Sequence, residues 1–437
     1  MVKLSTQRAR YPVRHYDLII IGNGLAGSAL IHALQHLPLR IAVLDQHHNS
    51  QNDSIIPTSE NSRPITLNHA STTILQTLNV WPKLQKHSIK LEQLCITEQS
   101  RLGQIHVSAQ EMGLPCLGHV IPFHLLKQQL HHQPTSHLTI DNLTSKKLIK
   151  IDNKTSGVTV TYQDSLEQRT LFAPLLIAAD GAHSHTRDLL GITSKRHDHG
   201  DQSLVFNVTL NQPTSSPTTA FQRFTSLGSL AWLPSWRATQ ARVVWTVPKR
   251  QIQIINSWDN NTIAQHINQV YHGRQPTIKD IQLTGQFPVS SQTHPSTVYQ
   301  SAILLGNAAH TFYPITAQGF NLTLLSIAML AETLTNSLTT HQQLNYPTHL
   351  AHYEQWSQTT QSRIARNTQR IDHIFTVPLI GHLRSLGMLA VNLNPIAKKY
   401  LLSHFVGYHS SLPKLACQIS LDATQQHPHV AQPAETF

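Results

Sequence analysis

The stretch DLIIIGNGLAGSALIHAL, residues 17–34, limits the fold more than any other part of the chain. Its LIII run is uninterrupted, as a parallel strand buried on both faces requires. Gly22, Gly24 and Gly27 follow in the pattern G-x-G-x-x-G, and Ala29, Leu30, Ala33 and Leu34 then recur at helical spacing. RIAVLD comes next, a second strand that ends on Asp45, 23 residues after Gly22. Each part has a physical task. Gly22 permits a tight turn, Gly24 lets the backbone approach a pyrophosphate, and Gly27 lets helix and strand pack closely. The helix N-terminus then faces the phosphate charge, and Asp45 stands where an acid accepts from ribose hydroxyls. A lone G-x-G-x-x-G says little, because a glycine-rich turn of another α/β fold can carry it. Strand, glycines, helix, strand and acid in this order read as a dinucleotide-binding unit. The unit by itself does not separate NAD from FAD.

A chain of 437 residues exceeds one ordinary core, so two or more structural units are expected. The net charge of +11 could serve nucleic acid or anionic lipid. No Lys/Arg block of five and no helix that joins Arg with aromatics is present, which sets nucleic acid aside. Cys95, Cys116 and Cys417 lie far apart and form no C-x-x-C pair, as in a reducing compartment. Lys3, Arg8, Arg10 and Arg14 precede no apolar core, so no secretory signal is read there. No apolar run nears the roughly 20 residues that span a bilayer, and a cytoplasmic location is expected. The 30 histidines are scattered and read first as composition. His183-x-His185 and His197-x-His199, with Asp198 and Asp201 nearby, lack a further ligand at convincing spacing, so no metal is expected. No G-x-S-x-G elbow supports a hydrolase.

Two later segments also end a strand on glycine. LLIAADGAHSHTRDLLGI, residues 175–192, carries Asp180 and Gly181 after an apolar strand, with Arg187 in the helix start beyond. AILLGNAAHTFYPITAQGFNLTLLSIAMLAETL, residues 302–334, reaches Gly306 and Asn307, then passes Pro314, Gln318, Gly319 and Asn321 before a long apolar helix. On these ordered motifs, and on Arg63 in SRPITLNHAS, the chain resembles the flavin-dependent aromatic hydroxylases of the p-hydroxybenzoate hydroxylase fold over nearly its whole length. The second segment matches that family's ADGxxSxxR pattern, the third its GDAAHxxxPxxGQGxN pattern, and Arg63 its RxIxL element. Within the family the likeness is strongest to the ubiquinone-pathway hydroxylases, above all those of 2-polyprenyl-6-methoxyphenol (the UbiH type). QRFTSLGSLAWLP, VVWTVP, GNAAHTFYPITAQGFNLTL with AETL, and RIDHIFTVPLIGHLRSLGMLAVNLNPIAKKYLLSHFVGY carry that likeness.

The resemblance implies a monooxygenase that binds FAD and takes electrons from NAD(P)H. Only one G-x-G-x-x-G is present, so the nicotinamide would visit transiently. Oxygen would pass from a C4a-hydroperoxide of reduced flavin to an electron-rich carbon of a polyprenyl phenol, on the path to ubiquinone. The implied cofactor site holds Gly22, Gly24, Gly27, Asp45, Arg63, Asp180, Gly181, Arg187, Gly306, Asn307, Pro314, Gly319 and Asn321, with Pro314, Gln318 and Gly319 next to the isoalloxazine. No catalytic acid–base pair is implied, because the cofactor carries the chemistry, and the group that deprotonates the phenol is not assigned. His310 reads as structural, near the flavin phosphates, rather than as a base. The family usually has Asp where Asn307 stands; Asn keeps an acceptor oxygen for a ribityl hydroxyl. The family's GQG is AQG here, and Ala317 costs about 1 kcal/mol if that residue needs a positive φ. Rival readings are hydroxylation at another ring position or of another phenol, and a catalytically silent flavin-binding subunit of the biosynthetic assembly.

The expected fold is α/β: a p-hydroxybenzoate hydroxylase-like, Rossmann-type FAD-binding domain, discontinuous over 16–71, 116–192 and 298–340. An inserted α+β substrate domain covers 72–115 and 193–295, where VFNVTL, LAWLP and ARVVWTVP read as strands. Residues 345–408 form a C-terminal helical segment, with Ile371, Ile374, Phe375, Leu379, Leu383, Leu386 and Leu389 at three- to four-residue steps. This stripe fits a cap packed on the FAD domain. It also fits a surface that meets anionic lipid, which would make the chain peripheral at the inner face of the membrane, beside other ubiquinone-biosynthesis proteins. Residues 410–437, polar and proline-bearing, read as a disordered tail.

Overall fold

The LIII run becomes the Leu18–Ile21 strand, an interior member of a six-stranded sheet in the computed structural model. The structure describes residues 12–45, 64–132, 134, 137–144, 146–164, 167–313, 319–376, 381–408 and 411–422. Strand order is Val298–Tyr299, Ala302–Leu304, Leu175–Ala178, Leu18–Ile21, Arg40–Asp45 and Thr139–Thr144, parallel throughout except for the first pair. The alternation of strand side chains explains why the run has no polar residue. Leu18 and Ile20 share a core with Leu30 of the Leu25–Ala33 helix and with Leu324 and Ile327 of the Gly319–His341 helix. Ile19 and Ile21 point the other way, into a core with Val158, Val160, Tyr162 and Leu171. Those four belong to a smaller sheet of Arg14–His15, Glu167–Ala173, Gly157–Asp164 and Lys147–Lys154. Both faces are therefore dry, and each fully buried isoleucine contributes about 1.5–3 kcal/mol.

A seven-stranded sheet lies beside this body, ordered Ile278–Thr293, Lys195–Leu210, Gln240–Val247, Gly228–Pro234, Thr219–Thr225, Gln93–Glu98 and Gln104–Ser108. VFNVTL, LAWLP and ARVVWTVP lie in three of its strands. Phe206, Leu230, Val243 and Trp245 share a core with Ile263, Ile267 and Val270 of the Asn260–Val270 helix. Its edge strand Ile278–Thr293 and the neighbouring Lys195–Leu210 are each 16 residues long and pair with each other well past the shorter strands. That extra length takes Gln292 into a bridge with Thr311, just beyond the Gly306 strand end of the first sheet.

Helices Pro347–Thr376, Gly381–Leu393 and Pro395–Val406 follow. None among the described residues is long and apolar enough to cross a membrane. The disordered-tail expectation fails over 411–422. There Leu415, Ala416 and Leu421 are buried in the main core around a 3-10 turn, Lys414–Cys417. Thr77 Oγ1 donates to the Leu415 carbonyl at 3.0 Å, the Lys414 N–H to Glu332 at 2.8 Å, and the Trp356 indole to the Ser411 carbonyl at 3.1 Å. Three apolar anchors and paired main-chain groups order a segment whose average composition is polar. Residues 423–437 lie outside the described residues.

Candidate functional site

Three neighbouring strands of the parallel sheet, Ala302–Leu304, Leu175–Ala178 and Leu18–Ile21, end on the same edge. Their continuations are Gly306-Asn307, Asp180-Gly181 and Gly22. Contact between them is direct. A Cβ on Gly22 would sit 2.5 Å from the Ala179 carbonyl oxygen and 2.8 Å from Asp180 Cα, and Gly22 has φ +100°. A Cβ on Gly306 would meet Ala26 at 3.1 Å and Thr323 at 3.3 Å. The sequence motifs, more than a hundred residues apart, thus meet at one sheet edge.

The first turn is built to face an anion. Gly24 is the N-cap of the Leu25–Ala33 helix, with extended backbone, no side-chain cap and no acid in the first turn. The first N–H groups of that helix are left to an outside acceptor. Nothing lies within 4 Å of where a Gly24 Cβ would be, whereas a Cβ on Gly27 would fall 2.0 Å from the Gly22 carbonyl oxygen. Gly24 therefore keeps a surface open while Gly27 closes the helix on the strand. Asp45 ends its strand half-exposed. His131, the last residue of the Phe123–His131 helix, lies by Asp45 and the Asn23 main chain. Burial lowers the His131 pKa, as does Lys127, and the two neighbours oppose that shift. No sequence motif pointed to His131.

Asp180 holds its own turn. Its carboxylate accepts from Ser184 Oγ at 2.5 Å and from the Thr186 N–H at 2.9 Å, and Ser184 caps the His185–Leu189 helix. Arg187 is only 7% exposed and donates to the carbonyls of Ala308 at 3.3 Å and Ala182 at 3.2 Å. With the Gln292 amide oxygen turned toward it, Gln292 accepts from both guanidinium nitrogens at 3.1 and 3.3 Å and from Ser194 Oγ at 3.0 Å. A guanidinium has five donors and no acceptor, so this amide orientation is the one that satisfies the network. Arg187 therefore ties the second motif to the third and to the long Ile278–Thr293 strand.

In the third motif Asn307 is exposed, and Gly319 and Asn321 open the Gly319–His341 helix. The Asn321 amide is buried and bonded to main chain: its oxygen accepts from the Asn68 N–H at 2.9 Å and its nitrogen donates to Thr66 at 3.0 Å. It positions the Pro64–Asn68 strand against the helix start. A small cavity beside it is walled by Asn68, Ser71, Leu325, Ile364 and Gly407. Arg63, Pro314, Ala317 and Gln318 lie outside the described residues. His310 is fully buried, its ring nitrogens without a hydrogen-bond partner among the described residues, and burial together with nearby His294 pushes its pKa down to about 4. It is a neutral ring at pH 7, in keeping with a structural place. Tyr313 donates to Asp201 at 2.6 Å, and its ring stands 4.8 Å from that of His199. His199 and Asp201, weighed in the sequence as metal ligands, thus pack on the residue that enters the 314–318 segment.

The comparisons with known proteins fall on this architecture. A family model described as the FAD binding domain matches residues 15–368. An uncharacterised protein of Synechocystis sp. is 28% identical over 93% of this chain and 96% of its own length. The ubiquinone hydroxylase UbiM of Neisseria meningitidis is 24% identical over 90% of this chain and 85% of its own. Further relatives at 20–22% identity are bacterial and animal hydroxylases of ubiquinone biosynthesis. The solved structure of p-nitrophenol 4-monooxygenase from Pseudomonas putida superposes with a TM-score of 0.69 at 14% identity, covering 90% of this chain and 98% of that one. The fold is that of the p-hydroxybenzoate hydroxylase-like FAD monooxygenases, and the FAD-domain match together with the hydroxylase relatives makes the class a flavin-dependent monooxygenase. The chain belongs to the FAD binding domain family, with FAD as its cofactor.

Proposed function

We propose that this chain hydroxylates a polyprenylated phenol, 2-polyprenyl-6-methoxyphenol, para to its hydroxyl, in ubiquinone biosynthesis. The observation that carries the reading is the one sheet edge at which the Gly22, Asp180 and Gly306 strand ends meet. That edge fits FAD: open helix N–H groups at Gly24 suit a pyrophosphate, Asp45 a ribose, and exposed Asn307 a ribityl hydroxyl. Bound FAD supplies the activated oxygen once NAD(P)H has reduced it. The chain's own residues bind and orient. Gly22, Gly24 and Gly27 hold the phosphates close to the backbone. Asp180, Gly181 and Arg187 fix the second turn, while Gly319 and Asn321, at the start of the Gly319–His341 helix, would face the isoalloxazine end. The two long strands, Ile278–Thr293 and Lys195–Leu210, reach the third motif through the Gln292–Thr311 bridge, where they would screen bound flavin from water and favour oxygen transfer over its wasteful loss.

The relatives' names support the pathway. One of them is a 3-demethoxyubiquinol 3-hydroxylase, which keeps a second ring position, or another phenol, as the runner-up. The test is purified protein with its visible spectrum, then product analysis with 2-prenyl-6-methoxyphenols and the other pathway phenols. A para-hydroxylated product with phenol-stimulated NAD(P)H oxidation is expected. Product at another carbon would move the assignment to the runner-up. Bound flavin with no phenol-stimulated oxidation would make the chain a silent subunit, the reading for which Asn307 and Ala317 speak.

A further inference from the structure

The Gly381–Leu393 helix turns its apolar stripe outward. Arg384, Ser385 and Met388 face inward: Arg384 is bonded to Glu98, and Ser385 Oγ accepts from the Gly103 N–H at 2.8 Å. Leu383, Leu386 and Leu393, at helical spacing on the opposite side, are 70%, 63% and 80% exposed. Leu102, next to Gly103, is fully out in solvent beside them. The Pro395–Val406 helix continues this face at its start, where Ile396 is 82% exposed and Tyr400 also stands out. A helix that only capped the core would bury these positions.

The balance of charge around the face is positive. No Asp or Glu occurs between Asp372 and Asp422, a stretch that holds Arg384, Lys398, Lys399 and Lys414. Among the described residues, the carboxylates that ion-pair with these helices, Glu98 and Glu111, are matched by Arg384 and Lys398. Arg101 rests on His382, and Lys399 is exposed. Exposed leucine and isoleucine with cations and no unmatched acid suit an anionic lipid surface, in which apolar side chains sink to the acyl boundary.

The second helix also connects this face with the site. It is exposed at Ile396 and buried at Leu402 and Val406. Its C-cap, Gly407, packs so closely that a Cβ would lie 2.6 Å from the Asn68 amide, and Gly407 walls the cavity beside Asn321. Twelve helical residues span about 18 Å. We propose that the Gly381–Leu393 and Pro395–Val406 helices seat the protein on anionic membrane, the second running from the acyl boundary to the cavity. Seating stands apart from the hydroxylase reading; only delivery of a prenyl tail along the helix rests on it.

The experiment is co-sedimentation of the FAD-loaded full chain with phosphatidylcholine vesicles, with and without phosphatidylglycerol. Its comparison is a variant carrying Leu383→Glu, Leu386→Glu and Ile396→Glu. Flavin absorbance checks that the variant is folded, and Leu383→Ser/Leu386→Ser serves if it is not. Wild type is expected to bind the anionic vesicles and release at high salt, and the triple variant to bind at least about tenfold less. Failure of the wild type to bind, or equal binding by the variants, overturns the proposal. So does a wild-type dimer that these substitutions dissociate without any vesicle binding, since the face would then belong to a second copy. Product formation from a short-chain phenol without vesicles tests the hydroxylase reading separately, because seating does not enter that assay.

Discussion

Two turns on one sheet edge are made by different means. The turn after Leu18–Ile21 is made by what is missing: no Cβ at Gly22 or Gly27, no cap at Gly24. The turn after Leu175–Ala178 is made by what is present: Asp180, Ser184 and Arg187, each bonded to a specific partner. The first is a steric device and tolerates no added atom at two of its positions. The second is a polar network and tolerates change in proportion to the bonds lost. Substitution separates the two.

The largest effect belongs to Gly27→Ala. Its methyl group would lie 2.0 Å from the Gly22 carbonyl oxygen, so helix and strand must part. A loss of more than about 3 kcal/mol is expected, read as a lower denaturation midpoint and as colourless protein. Gly24→Ala, three residues earlier, has open space around it. Its melting temperature should stay near wild type while FAD affinity falls, because the added methyl occupies the approach of the phosphates. Equal stability of the two alanine variants would break the steric account of the first turn.

Arg187→Met comes next. It leaves the Ala182 and Ala308 carbonyls and the Gln292 amide without their buried donor. Unsatisfied buried acceptors of this kind give an expected loss of about 2–4 kcal/mol. Gln292→Leu in the same background should add little, since the two residues form one network. Full additivity in that double-mutant cycle would show that Gln292 does not face the guanidinium.

The difference between the turns also explains what could be read in advance. Gly22, Gly24 and Gly27 are demanded by local backbone geometry, so their spacing is visible within six residues of sequence. The partners of Arg187 and Tyr313 are not: Arg187 reaches Ala308 and Tyr313 reaches Asp201, each more than a hundred positions away. The pairing of Leu175–Ala178 with Ala302–Leu304 fixes the first meeting, and the pairing of the two long strands with the Gln292–Thr311 bridge fixes the second. His131 was missed for the same reason. The 411–422 segment was misread because composition averages over a window, while Leu415, Ala416 and Leu421 each find a specific hole. The stripe at Leu383 and Leu386 was visible as periodicity, but periodicity does not tell which side of a helix meets protein.

Acid stability probes the buried part of the third motif. His310 has its pKa lowered to about 4 by burial and by His294. The unfolded chain takes up a proton there below about 6.5, and the folded chain does not until about 4. Stability contributed by the neutral ring is thus complete above pH 6.5 and declines as pH falls through that window, by up to roughly 3 kcal/mol. His310→Leu removes this titration. Its melting temperature should decline less between pH 7 and pH 5 than that of wild type; parallel curves would mean that the ring is not held neutral.

The smallest effect is expected at Asn307, and it sharpens the comparison most. Its side chain is exposed, so stability of Asn307→Asp and Asn307→Ala should lie within about 0.5 kcal/mol of wild type. The two variants differ in what they leave for a ribityl hydroxyl. Asp keeps an acceptor oxygen and loses only the NH2 donor, whereas Ala loses both. FAD affinity should therefore change little with Asp and fall about threefold to tenfold with Ala, the worth of one hydrogen bond. If Ala binds FAD as tightly as Asn, the ribityl chain is held by backbone alone at this edge, and the third turn works as the first one does. If Asp weakens binding more than Ala, the NH2 group is the contact, and the departure from the family's usual Asp reflects a donor requirement specific to this chain.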